Sequence, residues 1–276
     1  MAITDSVIKR LEMWILPRLA QTPVVSIYAE TRGWPFVIAW IHRFFGILLV
    51  IYVLFHIYTL SFLETPALFD HKMKFFRFFL FVLLEWLLAI PVIFHALNGS
   101  RLVLYESFGF RKDGLMIRRL LGISVAYVFF LGLWMLLGNQ TVTPLFFWLT
   151  VSIIAVIPVY LVTGKIWKTG MPVGWKLQRI TGAFLLISIP AHLLFMHLQP
   201  SIGHESDVVI QRMQNTFIRF VDMALVVSVL YHGGYGLLAI AKDYLESKPL
   251  QTACAAIISL VMTVFAWIGI RLILTV

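Results

Sequence analysis

Apolar and polar residues alternate along the chain in long blocks rather than in short amphipathic repeats. Seven apolar blocks each reach about 20 residues, the length that an α-helix needs to cross the hydrocarbon core of a bilayer. They lie near residues 36–60, 75–98, 118–137, 145–164, 177–198, 214–240 and 252–274. The pattern predicts an all-α membrane protein with seven transmembrane helices, embedded in a lipid bilayer.

The composition agrees with a membrane protein and fixes an expected orientation. The chain is 61% hydrophobic and 13% charged, with a mean hydropathy of +0.92, whereas the apolar share of soluble domains is nearer half. If the N-terminus is cytoplasmic, outer loops carry only Lys72, Lys74 and Arg212. The predicted inner segments carry Lys9, Arg10, Arg18, Arg32, Arg101, Arg111, Lys112, Arg118, Arg119, Lys165, Lys168, Lys176, Lys242 and Lys248. This bias predicts a cytoplasmic N-terminus in the cell (inner) membrane, and it explains the net charge of +9 without nucleic-acid binding.

The N-terminal residues and the single cysteine limit the remaining options. Residues 1–33 have no apolar core and no cleavage site typical of a signal peptide. The stretch VIKRLEMWILPRLA within them predicts an amphipathic cytoplasmic segment that lies on the membrane surface. With Cys254 as the only cysteine, we expect no internal disulfide, no cysteine-ligated zinc and no iron–sulphur cluster bound by this chain.

Two sets of residues occur twice at nearly constant offsets. Arg43, Gly46 and His56 return as Arg179, Gly182 and His192, 136 positions later, and Glu85, His95 and Gly99 return as Asp222, His232 and Gly236, 137 positions later. The sequence therefore predicts two parallel three-helix repeats, residues 34–140 and 171–276. The fourth helix, within residues 141–170, has no counterpart and would be a connector that returns the chain across the membrane. The repeats should be related by a pseudo-two-fold axis along the membrane normal.

The four repeated histidines predict two metal-binding layers. A single histidine on an apolar face is most often a core residue bonded to a backbone carbonyl, but the constant offset favours ligands. By helical rise, His56 and His192 should form an outer layer, and His95 and His232 an inner layer. Two imidazoles that face each other across a helical bundle are the usual ligands of a b-type haem. We therefore expect a haem-binding bundle with two bis-histidine b-type haems.

Four neighbouring residues fit this interpretation. Gly99 and Gly236 lie one turn from the inner histidines, where the absence of a side chain would admit a flat macrocycle; close helix packing is the alternative. Arg43 and Arg179 should lie near the inner face, where a guanidinium can pair with haem propionates. The alternative for both arginines is snorkelling to lipid headgroups.

The repeated acids Glu85 and Asp222 would be buried ten residues outward of the inner histidines. A buried carboxylate takes up a proton or finds a cation. We expect ion pairs with Arg77 and Arg219 on the same helices, and a proton or quinone role as the second option. The other outer histidines, His71, His197 and His204, are expected to be ordinary interfacial residues.

Three motifs carry a family resemblance. WIHRFFG (Trp40–Gly46) and HALNGSR (His95–Arg101) resemble the larger cytochrome b anchor subunit of succinate dehydrogenase (complex II), and HGGYGLLAIAKDY (His232–Tyr244) resembles the smaller one. The chain resembles both anchors joined head to tail. The resemblance implies that His95 and His232 ligate a shared haem. It also implies that Arg43 lines an inner quinone site and reaches a propionate, and that Tyr244 hydrogen-bonds a quinone carbonyl beside Asp243.

Four positions depart from the patterns of the family. The serine expected three residues before His42 is Ala39, and the glutamate that some two-haem members use for proton transfer is replaced by Leu230. His56 and His192 have no match in the single-haem anchors. His56 and His192 resemble the outer ligands of the two-haem succinate:quinone and quinol:fumarate reductases.

The resemblance implies a di-haem membrane anchor of succinate dehydrogenase or fumarate reductase. It would carry electrons between quinone (menaquinone or ubiquinone) and an iron–sulphur subunit docked on the basic inner face, while a separate flavoprotein subunit performs the dicarboxylate chemistry. The direction of the reaction and a homo-oligomer of the whole complex stay open. Two alternatives remain: a cytochrome b of a membrane hydrogenase or formate dehydrogenase, and a proton-coupled transporter without haem.

Overall fold

Long helices dominate the structure, a computed structural model that describes residues 33–138, 142–198 and 201–276. In chain order the helices are α1 (Trp34–Leu60), α2 (Pro66–Phe76), α3 (Phe79–Phe108), α4 (Asp113–Leu137), α5 (Pro144–Ile166), α6 (Val173–Met196), α7 (Ser201–His204), α8 (Ser206–Met213), α9 (Thr216–Tyr244) and α10 (Lys248–Thr275). Seven of them are long and apolar enough to span a membrane, which confirms the all-α, seven-span prediction. The predicted amphipathic segment lies outside the described residues.

The second spanning helix begins and ends later than hydropathy predicted. Hydropathy predicted that this helix starts near residue 75. In the structure the backbone at Phe78 is extended (φ −66°, ψ 140°) and separates α2 from α3. Phenylalanines stand on both sides of this break, so hydropathy alone does not detect it. The helix then continues past residue 98 to Phe108, where Gly109 adopts a left-handed conformation (φ 67°) that favours glycine and ends the helix.

Asn215 fixes the start of α9. Its side-chain oxygen accepts hydrogen bonds from the backbone N–H groups of Phe217 (3.0 Å) and Ile218 (3.2 Å), which satisfies donors that the first turn would otherwise leave unpaired. From there α9 runs without interruption to Tyr244. The helix therefore places His232, Asp243 and Tyr244 on one rigid element.

The four helices that carry the repeated histidines form a closed bundle. Going round it, α1 contacts α3, α3 contacts α6, α6 contacts α9, and α9 contacts α1. Helix α1 thus lies diagonally opposite α6, and α3 lies diagonally opposite α9. On the outside, α4 packs against α3 and α10 packs against α9, while α5 packs against α6. This is the pairing expected if α1, α3 and α4 repeat as α6, α9 and α10.

The two ends of the bundle differ. We call the end that carries α2, α7 and α8 the outer end, and the opposite end, where α3 and α9 terminate, the inner end. Asp70 on α2 accepts hydrogen bonds from the backbone N–H and the hydroxyl of Ser206, both 2.9 Å, and so joins α2 to α8. The lateral surface is strongly apolar, with Phe79, Ile153 and Leu260 all more than 60% exposed. A bilayer would cover this surface.

Candidate functional site

The inner histidines face each other across one diagonal of the bundle. His95 lies on α3 and His232 on α9, with ring centroids 6.2 Å apart and ring planes at 88°. An imidazole centroid lies about 1 Å from its nitrogen, and a metal–nitrogen bond is about 2 Å. One metal held between two imidazoles therefore requires centroids roughly 6 Å apart. The inner pair meets this requirement.

Backbone carbonyls fix the tautomer of both inner histidines. Nδ1 of His95 lies 3.2 Å from the carbonyl oxygen of His42, and Nδ1 of His232 lies 3.1 Å from that of Gln178. A carbonyl only accepts, so each Nδ1 carries the hydrogen and donates it. The Nε2 lone pair is left for a metal. This is the second hydrogen bond that metal-binding histidines usually make.

Two glycines make room for these rings. A Cβ atom added to Gly46 on α1 would lie 3.1 Å from Cε1 of His95, and one added to Gly182 on α6 would lie 3.0 Å from Cε1 of His232. Both distances are shorter than ordinary van der Waals contacts. These glycines recur at the constant offset of 136 residues, but we predicted no role for them from the sequence.

Gly99 and Gly236, to which we gave the role of admitting a macrocycle, both line the bundle cavity. Their nearest neighbours are not the ligand rings. A Cβ at Gly99 would lie 3.7 Å from Cε1 of His42, and one at Gly236 would lie 3.8 Å from Nε2 of Gln178. They therefore pack against the residues whose carbonyls orient the inner histidines.

The outer histidines face each other across the other diagonal. His56 on α1 and His192 on α6 have ring centroids 6.2 Å apart and ring planes at 82°, so this pair has the separation of the inner one. Tyr52 stacks on His56 with centroids 5.7 Å apart. Nδ1 of His192 is buried without a hydrogen-bond partner among the described residues. The outer pair therefore fits a metal in spacing, but within the described part of the chain no carbonyl holds Nδ1 of His192 as one holds each inner histidine.

A single cavity joins the two layers. Its volume is about 1540 Å³, and all four histidines line it. Pockets for one small ligand usually measure roughly 300–1,000 Å³. His56 follows Gly46 by ten residues on α1, so the layers lie about 15 Å apart by helical rise.

The two histidines of each pair could serve as the two axial ligands of a metal that a macrocycle already holds. In the described part of the chain, no group of three or more His, Cys, Asp or Glu side chains could hold a metal ion. Each histidine pair offers only two ligands, which suits an iron whose other positions a porphyrin fills. The residues present thus fit a haem at each pair.

Arginine–carboxylate pairs join the two halves at the inner end. Nη2 of Arg43 on α1 lies 2.6 Å from the Asp243 carboxylate on α9, and Nη1 of Arg43 donates to the Tyr244 hydroxyl at 3.5 Å. Nη2 of Arg179 on α6 lies 2.7 Å from the Glu106 carboxylate on α3. The structure therefore brings together the three residues of the predicted quinone site. Arg43, Asp243 and Arg179 also line the cavity.

The expected partners of the outer acids were wrong. Arg77 pairs with Glu205 at 3.3 Å, and Nε of Arg219 donates to the carbonyl oxygen of Met213 at 3.1 Å. The break at Phe78 separates Arg77 from the helix that carries Glu85, so the assumed spacing along one helix does not exist. Nε2 of His197 lies 3.6 Å from Glu85 instead. His197 is therefore not an ordinary interfacial residue but lines the cavity.

Two aromatic contacts of the histidines were not predicted from the sequence. His42 stacks on His95 with centroids 4.0 Å apart and planes at 2°, although its counterpart in the second half is Gln178. Trp148 on α5 is buried and lies 6.1 Å from the His192 ring. The second contact places α5 beside the outer histidine pair. No repeat marks it, so no sequence signal pointed to it.

Seven apolar helices define the chain as a multi-pass membrane protein. The family described as succinate dehydrogenase/fumarate reductase transmembrane subunit matches residues 22–133 and again residues 163–270. Since these segments make up most of the chain, the chain belongs to that family. Members are generally cytochromes b with haem and a quinone site. No curated protein and no solved structure matches the chain.

Proposed function

We propose that the chain is the di-haem membrane anchor of a succinate:quinone oxidoreductase, with one b-type haem at His95/His232 and another at His56/His192. The observation that carries the proposal is the equal spacing of the two pairs: each bridges a diagonal of the bundle with ring centroids 6.2 Å apart. The same membrane subunit would serve succinate oxidation or fumarate reduction. The two matches of one family support a duplication, with repeats at residues 34–140 and 171–276 and the connector between them.

The residues of the chain hold and orient the cofactors. Bound haems would supply one-electron carriage between the two layers. His95 and His232 keep Nε2 free for iron because their Nδ1–H groups are held by the carbonyls of His42 and Gln178. Arg43 and Arg179 line the cavity at the inner end, where each can also pair with a haem propionate.

The inner quinone site would consist of Arg43, Asp243 and Tyr244. Reduction of a quinone takes up two protons as well as two electrons, so the site needs a donor to a carbonyl oxygen and access to water. The Tyr244 hydroxyl can donate, and the Asp243 side chain is 51% exposed, which lets it exchange protons with solvent. Arg43 holds both groups together.

The partners follow from the family, in which the membrane subunit associates with a flavoprotein and an iron–sulphur subunit. The inner end carries the basic loop between α3 and α4, where the Arg111 guanidinium lies 4.2 Å from the centre of the Tyr105 ring. We propose that this basic end is cytoplasmic and docks the iron–sulphur subunit. Its positive charges would attract an acidic surface of that subunit and so guide association. The flavoprotein would carry out the dicarboxylate chemistry. Family membership favours this function over a hydrogenase or formate dehydrogenase cytochrome and over a transporter.

Substitution of Tyr244 tests the quinone function. Tyr244→Phe removes one hydroxyl and keeps the ring. One hydrogen bond contributes about 0.5–1.5 kcal/mol, so succinate–quinone turnover should fall up to about tenfold. Haem spectra and succinate oxidation with a soluble acceptor should not change. Tyr160→Phe is the matched control, because Tyr160 on α5 is 75% exposed and is not part of the proposed quinone site. Wild-type quinone turnover in Tyr244→Phe would place the quinone elsewhere.

A further inference from the structure

Arg212 on α8 points into the outer end of the cavity. Its guanidinium lies 5.8 Å from the centre of the Phe195 ring, and its Nη1 donates to Sδ of Met196 at 3.6 Å. Phe195 and Met196 follow His192 by three and four residues on α6, which is about one helical turn, or roughly 5 Å. The cavity that Arg212 lines is the one lined by His56 and His192. The charge therefore lies just outward of the outer histidine pair.

The Arg212 guanidinium has too few hydrogen-bond acceptors among the described residues. Nε of Arg212 is buried with no hydrogen-bond partner among the described residues, and the thioether of Met196 is only a weak acceptor. Burial lowers the pKa of Arg212 from its ordinary value, and the negative charge of Asp222 offsets this only in part. No ion pair joins Arg212 to a carboxylate in the part of the chain that the structure describes. A buried unpaired donor on a cation is costly, which calls for an anionic ligand.

The repeat does not explain this arginine. With offsets of 136 and 137, the positions in the first half that correspond to Arg212 are Phe76 and Phe75. At the inner end, by contrast, Arg43 and Arg179 occur in both halves, and each is already paired with a carboxylate of the other half. Arg212 thus has no cationic counterpart in the first half, and it lies beside the outer histidines.

We propose that Arg212 binds a propionate carboxylate of the outer haem. The inference rests on the proposed function, since it requires a haem at His56/His192. A guanidinium suits this ligand because it offers two parallel N–H donors to the two oxygens of a carboxylate. Its free Nε and the adjacent cavity provide a donor and the space for it. This contact would place the charge of Arg212 beside the outer haem, far from the inner one, whose neighbouring arginines Arg43 and Arg179 each have a carboxylate partner.

A redox titration of each haem tests the proposal. In the intact complex, the optical α-bands of the two haems are followed against potential for wild type, Arg212→Gln and Arg212→Lys. A nearby cation favours the reduced haem because reduction adds negative charge. Loss of that cation should therefore lower the outer haem's reduction equilibrium constant about tenfold, which is 59 mV for a one-electron couple. The inner haem should keep its potential, and Arg212→Lys should lie between Arg212→Gln and wild type.

The pH dependence gives a second readout that packing alone would not change. Without its cation, the propionate takes up a proton more readily, so the outer potential in Arg212→Gln should rise as pH falls from 8 to 5 more steeply than in wild type. Arg77→Gln is the control, because Arg77 is an exposed cation at the same end that pairs with Glu205. It should leave both potentials unchanged.

The outcomes separate this inference from the proposed function. The number of haems in the wild type tests the proposed function. If the wild type binds one haem per chain, there is no outer haem, and the proposed di-haem function is wrong. With two haems present, loss of the outer haem in Arg212→Gln but not in Arg212→Lys supports an anion-binding charge. An unchanged outer potential in Arg212→Gln, an equal shift of both haems, or loss of the outer haem in both variants overturns the proposal.

Discussion

Arg43 and Asp243 are 200 positions apart in the chain, yet Nη2 of Arg43 lies 2.6 Å from the Asp243 carboxylate. The same relationship occurs between Arg179 and Glu106 at 2.7 Å. The two arginines are 136 positions apart and the two acids 137, the offsets of the repeated histidines. Each half therefore supplies the arginine of one pair and the acid of the other, as we expect if a pseudo-two-fold axis relates the two proposed repeats.

The two pairs should differ in function although they match in geometry. Tyr244 follows Asp243 and contacts Arg43, whereas the residue that follows Glu106 is Ser107. Tyr105, on the other side of Glu106, contacts Arg111. We expect Asp243→Asn to lower succinate–quinone turnover severalfold and Glu106→Gln to leave it near the wild-type rate. Exposed ion pairs contribute about 0–1 kcal/mol, and Arg43 and Asp243 are 43% and 51% exposed, so unfolding in detergent should barely change in Asp243→Asn. Equal turnover losses in the two variants would argue against a single inner quinone site.

The glycines opposite the inner histidines give a test that separates the layers. In Gly46→Ala or Gly182→Ala, the new methyl would lie about 3 Å from the ring of His95 or His232, and the ring cannot retreat without straining its Nδ1–carbonyl bond. We expect the inner haem to shift its absorbance and potential or to be lost, with the outer haem unchanged. Gly164→Ala is the control, since a Cβ there meets nothing within 4 Å. An unaltered inner haem in both variants would show that the rings do not hold it there.

An ion pair that satisfies the buried Arg101 should dominate local stability, although its partner Asp113 is 33% exposed. Nη1 of Arg101 bonds the Asp113 carboxylate, its Nε donates to Asn98 at 2.9 Å, and the Arg101 side chain is only 8% exposed. Removal of one partner from a buried pair typically costs about 3–5 kcal/mol, so Asp113→Ala should strongly lower the free energy of unfolding in an SDS titration. Glu64→Ala breaks the exposed pair with Arg271 and should cost about 0–1 kcal/mol. A similar small loss in both would mean that water reaches Arg101.

Cleavage of the chain between the halves should not prevent haem binding. A cut after Thr169, in the loop between α5 and α6, leaves His56 and His95 in one fragment and His192 and His232 in the other. Because each pair takes one histidine from each fragment, co-expressed fragments should bind both haems. Either fragment expressed alone should lack a bis-histidine spectrum. A bis-histidine spectrum from residues 1–169 alone would disprove ligation across the halves.

Long-range periodicity predicted more of this molecule than local patterns did. Hydropathy identified the seven spans because a bilayer requires length and apolarity. The constant offsets led us to group the histidines into the two pairs whose ring centroids lie 6.2 Å apart; that these pairs bind haem stays a prediction. The start of α3 could not be predicted, since phenylalanines stand on both sides of the break at Phe78. Contacts of Trp148 and Arg212 were also missed. Trp148 lies on α5, which has no counterpart in the repeat, and the positions of the first half that correspond to Arg212 are phenylalanines. Neither contact was therefore marked by a repeated residue.

Haem content is the most direct test of the two-pair arrangement. We expect a pyridine haemochrome assay to give about two b-type haems per chain in the wild type. Each of His56→Ala and His192→Ala should remove the outer haem and keep the inner one, and each of His95→Ala and His232→Ala should do the reverse. A wild-type chain with one haem that persists in both His56→Ala and His192→Ala would contradict the outer site and leave those residues as core histidines.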